Sequence, residues 1–211
     1  MKIKVLIVDD HAVVRRGLKD ILIDEFDIEF VGEASDGKEV MDELRKNAFD
    51  IVVLDLNLPD RNGYDLLIEL KQRYPKLPIL ILSIHPEDQF ALRLLKAGAS
   101  GYINKQSAPD ELLKAIRKVV SGGKYVSSSL AEKLAFSLVT DSQKLPHETL
   151  SAREYQVMCL IASGKQVKDV AQELCLSLKT VSTYRARILS KMEMENNAEL
   201  THYAIKNGLV D

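Results

Sequence analysis

The sequence predicts an α/β domain built on a five-stranded parallel, doubly wound sheet, followed by a smaller all-α domain of four helices. Three observations carry that expectation. Short apolar runs alternate with stretches of helix length through the first 121 residues. The runs are apolar nearly throughout, as strands covered by helices on both faces are. Beyond residue 147 the strand rhythm is lost, and capping signals punctuate helical periodicity instead.

Composition bounds the rest. A chain of 211 residues, 46% hydrophobic and 28% charged, is apolar enough to fill two cores and carries no disorder-type bias. No run approaches the roughly 20 apolar residues that span a bilayer. The opening Met-Lys-Ile-Lys leads into a strand pattern where a signal peptide would carry its hydrophobic region. A cytoplasmic protein with no membrane partner is expected. Cys159 and Cys175 lie in helical patterns without metal-ligand spacing, so reduced packing residues are expected. The histidines, His11, His85, His147 and His202, are scattered.

The strands are expected in "IKVLIV", "IEFVG", "DIVVLD", "PILILS" and "GYIN". After the third, Pro59, Asp60, Asn62 and Gly63 supply turn residues, so the chain reverses just beyond Asp55. After the fifth, Leu112, Leu113, Ile116, Val119 and Val120 share one helical face. Ser107 with Pro109 and Asp110 suits that helix's cap and first turn, and "SGG" suits its stop.

In open parallel sheets, ligands bind outside the carboxyl ends of the strands. This sequence puts Asp9 and Asp10 after the first strand, Asp55 after the third, Ser83 after the fourth, and Tyr102 and Lys105 at the end of the fifth. Singly, each has a plain explanation: acids are common at strand tips, Ser83 suits a helix cap, and Lys105 suits a solvated loop. Three carboxylates on one edge would repel one another without compensation. A divalent cation resolves that repulsion, and oxygen ligands with no His or Cys nearby favour Mg²⁺. An Asp beside Mg²⁺ and a Lys can accept a phosphoryl group as an acyl phosphate. No GxxxxGK[ST] or GxGxxG loop is present to suggest an NTPase or a dinucleotide enzyme.

The pattern "VDDH … VVLDLNLPDRNG … LILS … GYINK" resembles the receiver domain of bacterial two-component response regulators, a flavodoxin-like fold. The resemblance implies that Asp55 is the phosphoacceptor, Asp10 a direct Mg²⁺ ligand assisted by Asp9, and Asn57 a further ligand through its backbone carbonyl. It also implies that Ser83 is the switch hydroxyl, Lys105 the phosphate-binding ammonium and Tyr102 the rotating aromatic. No proline follows Lys105, where many receivers have one. A haloacid dehalogenase-like phosphatase would need a second acid two residues after its nucleophile, and that position is Asn57.

Residues 1–122 are thus expected as one domain, 123–147 as a linker and 148–211 as the second domain. In the linker Leu130, Leu134 and Leu138 suit one face of a short helix, and "TDSQKLPHE" reads as an exposed connector. In the second domain Ser151 with Glu154 forms a capping-box pattern, Gly164 suits a helix stop and Ser177 a further cap. A short helix around Val170, Ala171 and Leu174, a tight turn and a capped helix with a basic flank make the plan of a helix-turn-helix. The domain's charges balance, yet Ser177 to Met192 holds Lys179, Arg185, Arg187 and Lys191 and no acid. Val181, Tyr184, Ile188 and Met192 group on one side, as anchors, with Lys179, Thr183 and Arg187 opposite.

This segment resembles the LuxR-type DNA-binding domain, and the whole chain resembles a response regulator of the NarL/FixJ group. The resemblance implies promoter DNA as ligand, a sensor histidine kinase as phosphodonor, and a homodimer when phosphorylated; it does not imply an enzyme. DNA contacts are expected from Lys179, Thr180, Ser182, Thr183, Arg185, Arg187 and Lys191. Many relatives read "TVKxH" where this chain reads "TVSTY", so two positions that are basic there are Ser182 and Ala186 here.

Overall fold

The computed structural model describes residues 2–84, 87–128, 130–132 and 145–210. The chain forms two compact units, divided between Leu138 and Val139. Among the described residues no helix is long and apolar enough to cross a membrane.

The first unit is a parallel sheet of β1 (Ile3–Val8), β2 (Ile28–Ala34), β3 (Ile51–Asp55), β4 (Ile79–Ser83) and β5 (Gly101–Asn104), in the order β2-β1-β3-β4-β5. The helices between and after them are α1 (Ala12–Ile23), α2 (Gly37–Lys46), α3 (Gly63–Arg73), α4 (Glu87–Lys96) and α5 (Ala108–Val120). Right-handed crossovers on either side of β1 wind the chain in opposite directions, so helices fall on both faces. On one face Leu18 and Leu22 of α1 and Leu112, Ala115, Ile116 and Val119 of α5 pack against Val5, Ile7, Val53, Leu80 and Leu82. The alternate strand positions, Leu6, Val52, Leu54 and Ile81, are equally buried and point the other way. Every residue of β3 and β4 is buried, which is why their sequences are uninterrupted apolar runs.

The β3 to α3 connection is closely folded. An isolated bridge pairs Asn57 with Asn62, and the Gly63 amide donates to the Leu56 carbonyl at 2.8 Å. Asn62 caps α3 by accepting from the Tyr64 amide at 2.8 Å. Gly63 is required by the close approach: a Cβ there would lie 2.5 Å from the Asp55 carbonyl oxygen and 2.6 Å from the Leu56 Cα. At α5 Pro109 and Asp110 sit in the first turn as expected. Ser107 departs from its expected capping role. Its backbone is right-handed helical, so its hydroxyl reaches the Asn104 carbonyl at 3.2 Å rather than the α5 amides.

In the linker, residues 130–132 are helical and Leu130 is buried, whereas Leu134, Leu138 and connector residues 140–144 lie outside the described residues. The connector is then a 3₁₀ turn at Pro146–Thr149. The second unit contains four α-helices among the described residues: α6 (Ala152–Ala162), α7 (Val167–Glu173), α8 (Leu178–Lys191) and α9 (Asn197–Lys206). Ser151 and Glu154 form the capping box, Gly164 leaves α6 in the left-handed region at φ +85°, and Ser177 accepts from the Thr180 amide. Tyr155, Val157, Met158, Val170, Ala171, Val181, Ile188, Leu200 and Ala204 fill the core.

Replacing Gly63 by Ala forces backbone against backbone, and the expected cost is about 1–3 kcal/mol of receiver-unit stability. Urea denaturation followed by probes in each unit checks this: the transition of the second unit should not move.

Candidate functional site

The carboxyl edge of the sheet gathers Asp9, Asp10, Asp55, Ser83 and Lys105, as the strand ends require. Asp9 is fully buried, Asp55 and Ser83 are 1% exposed, and Asp10 is exposed. Tyr102 is buried within β5, and Asn57 is exposed beside Asp55. Lys105 lies one residue past β5, where its amide donates to the Ser83 carbonyl at 2.8 Å. From there its Nζ reaches Asp55 Oδ2 at 2.7 Å and Asp9 Oδ2 at 2.7 Å. The contact with Asp55 is a hydrogen bond, whereas the one with Asp9 is an ion contact, and Asp9 Oδ2 makes no aligned hydrogen bond.

Electrostatics follow from this burial. Burial pushes the Asp55 carboxyl above the usual Asp range; the Lys105 hydrogen bond and charge oppose that, and Asp9 adds to it. A more basic carboxylate is a better acceptor for a proton or a phosphoryl group. Burial pulls the Lys105 ammonium down, but its contacts with the Asp55 and Asp9 carboxylates outweigh that and raise it, so the cation persists. One ammonium among three carboxylates leaves an excess of negative charge. Oxygen atoms from Asp9, Asp10 and Asp55 lie within 4.8 Å of one another. The buried Asp9 oxygen that lacks an aligned donor is what a hard divalent cation would take up, so these residues fit one.

Several members of the site were not anticipated. His11 contradicts the expectation that no His lies near the acids: its Nδ1 is 2.5 Å from Asp10 Oδ1 and 3.3 Å from Asp9 Oδ1. Scatter along the chain says nothing about a residue that directly follows the acid pair. Arg15, one turn into α1, donates from Nη1 to the Asp9 carbonyl at 2.7 Å and anchors the end of β1. Asp60 accepts from the Gly37 amide at 3.0 Å, and Arg61 pairs with Glu69 at 2.7 Å, fixing the loop after Asp55 to α2 and α3.

The raised Asp55 carboxyl has a stability consequence. Above the raised value the folded state holds a strained carboxylate that the unfolded chain does not, so Asp55→Asn should stabilise the receiver unit by about 1 kcal/mol at neutral pH. The gain should shrink as pH falls through the raised value towards the ordinary Asp range, since the folded protein then takes up the proton. Thermal melts of both proteins from pH 4 to 8 check the sign.

In the second unit the exposed side of α8 presents Lys179, Ser182, Thr183, Ala186 and Arg187. Lys179, Thr180, Thr183, Tyr184 and Arg187 line a shallow concavity of about 300 Å³. Tyr184 is thus only partly an anchor, unlike Val181, Ile188 and Met192, which are buried. Thr183 Oγ1 donates to the Lys179 carbonyl and the Thr180 hydroxyl contacts Ser177 Oγ at 2.8 Å, so both methyl groups are oriented. Two of the expected contact residues are engaged elsewhere. Arg185 Nε donates to Asn197 Oδ1 at 2.6 Å, holding α8 to α9. Lys191 pairs with the buried Glu154 at 2.7 Å, tying the end of α8 to the α6 capping box. Burial opposes ionisation of Glu154, but Lys191 and Ser151 outweigh it and hold the carboxyl below the usual range. Arg153 is itself buried and donates to the Leu174 carbonyl at 3.0 Å, clamping α6 on the end of α7.

Both units match known protein families. Residues 5–117 match the family described as response regulator receiver domain, and residues 148–204 match bacterial regulatory proteins of the luxR family. Response regulator UvrY of Escherichia coli K12 is 39% identical over 208 residues, which cover 98% of this chain and 95% of UvrY. Response regulator GacA of Pseudomonas aeruginosa is 36% identical over 210 residues, covering 99% and 98%. Among solved structures, RcsB from Salmonella enterica serovar Typhimurium bound to promoter P1flhDC in the presence of phosphomimetic BeF3⁻ superposes with a TM-score of 0.72. It is 28% identical and covers 96% of this chain and 98% of its own. With both families matched in their order along the chain, the protein belongs to the two-component DNA-binding response regulators of the NarL/FixJ group, a receiver joined to a LuxR-type helix-turn-helix, and it is not an enzyme.

Proposed function

We propose that phosphorylation of Asp55 by a sensor histidine kinase switches this regulator to a homodimer that binds double-stranded promoter DNA in the cytoplasm. The receiver is assigned to residues 1–122, the linker to 123–147 and the DNA-binding domain to 148–211. The observation that carries the reading is the buried Asp55 carboxylate, 2.7 Å from the Lys105 ammonium and beside Asp9 and Asp10 at the carboxyl edge of the sheet.

In the phosphoryl step an Asp55 oxygen attacks the phosphorus of a phosphohistidine. The new O–P bond makes an acyl phosphate, and the electron pair of the broken P–N bond returns to the imidazole. Lys105 neutralises one phosphoryl oxygen and the Ser83 hydroxyl donates to another. Asp9, Asp10, Asp55 and the Asn57 carbonyl would hold Mg²⁺, which supplies charge neutralisation when bound. Ser83 and Tyr102 answer the new anion, and the face of α4, β5 and α5 repacks around them.

On the DNA side, Lys179 and Arg187 flank the exposed side of α8 and suit phosphate contacts, while Thr180, Ser182 and Thr183 suit base edges. Arg185 and Lys191, which the sequence also nominates, serve to hold the helix through Asn197 and Glu154. The relative RcsB, solved on promoter DNA, supports this use of the domain. Two such helices in a dimer would meet half-sites on the order of 10 base pairs apart.

Incubation with a small phosphodonor and Mg²⁺ should add one phosphoryl mass to the wild type and none to Asp55→Asn. The labelled protein should dimerise and bind DNA more tightly, whereas labelling that leaves DNA binding unchanged would refute the switch. On a random-sequence duplex, Lys179→Ala and Arg187→Ala should each lower the salt slope of binding by about 1. Lys191→Met should leave that slope unchanged and cost the second domain about 1–2 kcal/mol, read from its melting.

A further inference from the structure

We propose that His11 is a ligand of the acidic pocket and tilts its choice of divalent cation from Mg²⁺ towards borderline ions such as Co²⁺. This rests on the reading of the pocket as a cation site. His11 occupies the N-cap of α1 with an extended backbone, φ −85° and ψ 108°, where Ser, Thr, Asp or Asn would accept from a helix amide. The imidazole makes no such cap bond. Its Nδ1 turns back over the acids, 2.5 Å from Asp10 Oδ1 and 3.3 Å from Asp9 Oδ1. The His11 amide also donates to Asp9 Oδ1 at 2.9 Å, so the root of the ring is fixed to the same carboxylate. The side chain is 66% exposed, so core packing does not dictate this orientation; the acids do.

One donor atom from each of Asp9, Asp10, His11 and Asp55 falls within 4.8 Å of all the others. Ligand atoms about 2.1 Å from a common octahedral ion are about 3 Å apart when adjacent and about 4.2 Å when opposite, so the widest spacings close slightly while His11 Nδ1 and Asp10 Oδ1, 2.5 Å apart, open by about half an ångström. In the bound form the Nδ1 lone pair faces the cation and the ring N–H is on Nε2. Nitrogen ligation strengthens the hold on Co²⁺, Ni²⁺ and Zn²⁺ and adds little for Mg²⁺. The imidazole therefore sets selectivity, while the carboxylates set the affinity common to all these ions.

Calorimetric titration of the full chain with CoCl₂ and with MgCl₂ tests this, comparing wild type with His11→Gln, which keeps a polar side chain but removes the imidazole. Co²⁺ affinity should fall about tenfold or more and Mg²⁺ affinity should stay within about twofold. Proton NMR of the Co²⁺ form should show hyperfine-shifted ring resonances of one coordinated imidazole, absent from His11→Gln. Equal changes for the two ions, or no such resonances in the wild type, would overturn the proposal and leave the Mg²⁺ pocket standing. Failure of the wild type to bind either ion would remove the cation site itself, and the proposal with it.

Discussion

The ammonium of Lys105, shared between Asp9 and Asp55 at 2.7 Å each, is the contact on which the receiver's working edge depends. Two buried carboxylates on neighbouring strands would repel each other, and burial alone already raises Asp55. The cation that offsets them arrives from two strands away, so its position depends on the register of β4 and β5. Ser83 pairs with Asn104, and the next amide, that of Lys105, closes on the Ser83 carbonyl. A slip of one residue there would turn the side chain to the other face of the sheet and leave the acids uncompensated. The placement of Ile103 in the core beneath α1 and α5 opposes that slip, since a one-residue shift would carry its side chain to the other face.

The helical unit uses charge in a similar way. Glu154 begins as a local device, accepting from the Ser151 amide to start α6. The same carboxylate oxygen also accepts from Lys191, so the cap of one helix becomes the anchor for the end of another. Arg153 beside it reaches the Leu174 carbonyl that closes α7. Adjacent residues at one helix start thus orient both members of the helix-turn-helix pair, with Arg185 and Asn197 fixing the far side.

Much of this was legible in the sequence because the signals were local. Apolar runs that end in acids marked the strand tips, and strand tips in a parallel sheet converge on one edge whatever the helices do. The capping box at Ser151 and the stop at Gly164 were equally plain, since caps depend on residues three or four apart. What escaped was decided by long side chains or by neighbours across space. Periodicity placed Arg185 and Lys191 on a basic helix, but whether a flexible cation extends into solvent or folds back depends on Asn197 and Glu154, which no spacing rule brings near. Tyr184 followed the apolar period yet ends with its ring partly in the concavity, because an amphipathic aromatic can satisfy both sides. Ser107 matched a cap by type, and its helical backbone angles removed the geometry that capping requires. His11 was visible beside two acids, but the extended backbone that lets its ring reach them was not legible from spacing.

The division of labour along α8 bears on how such a protein changes over generations. The side chains that fasten the helix to its domain, Arg185 and Lys191, are different from those it turns outward, Lys179, Ser182, Thr183, Ala186 and Arg187. Substitutions among the outward set alter no buried contact, so they are close to neutral for folding. On the proposed reading of α8, a duplicated copy of the gene is therefore free to drift towards a new operator while its framework stays under selection. Retargeting on that reading proceeds by exchange of exposed residues, without passing through an unfolded ancestor.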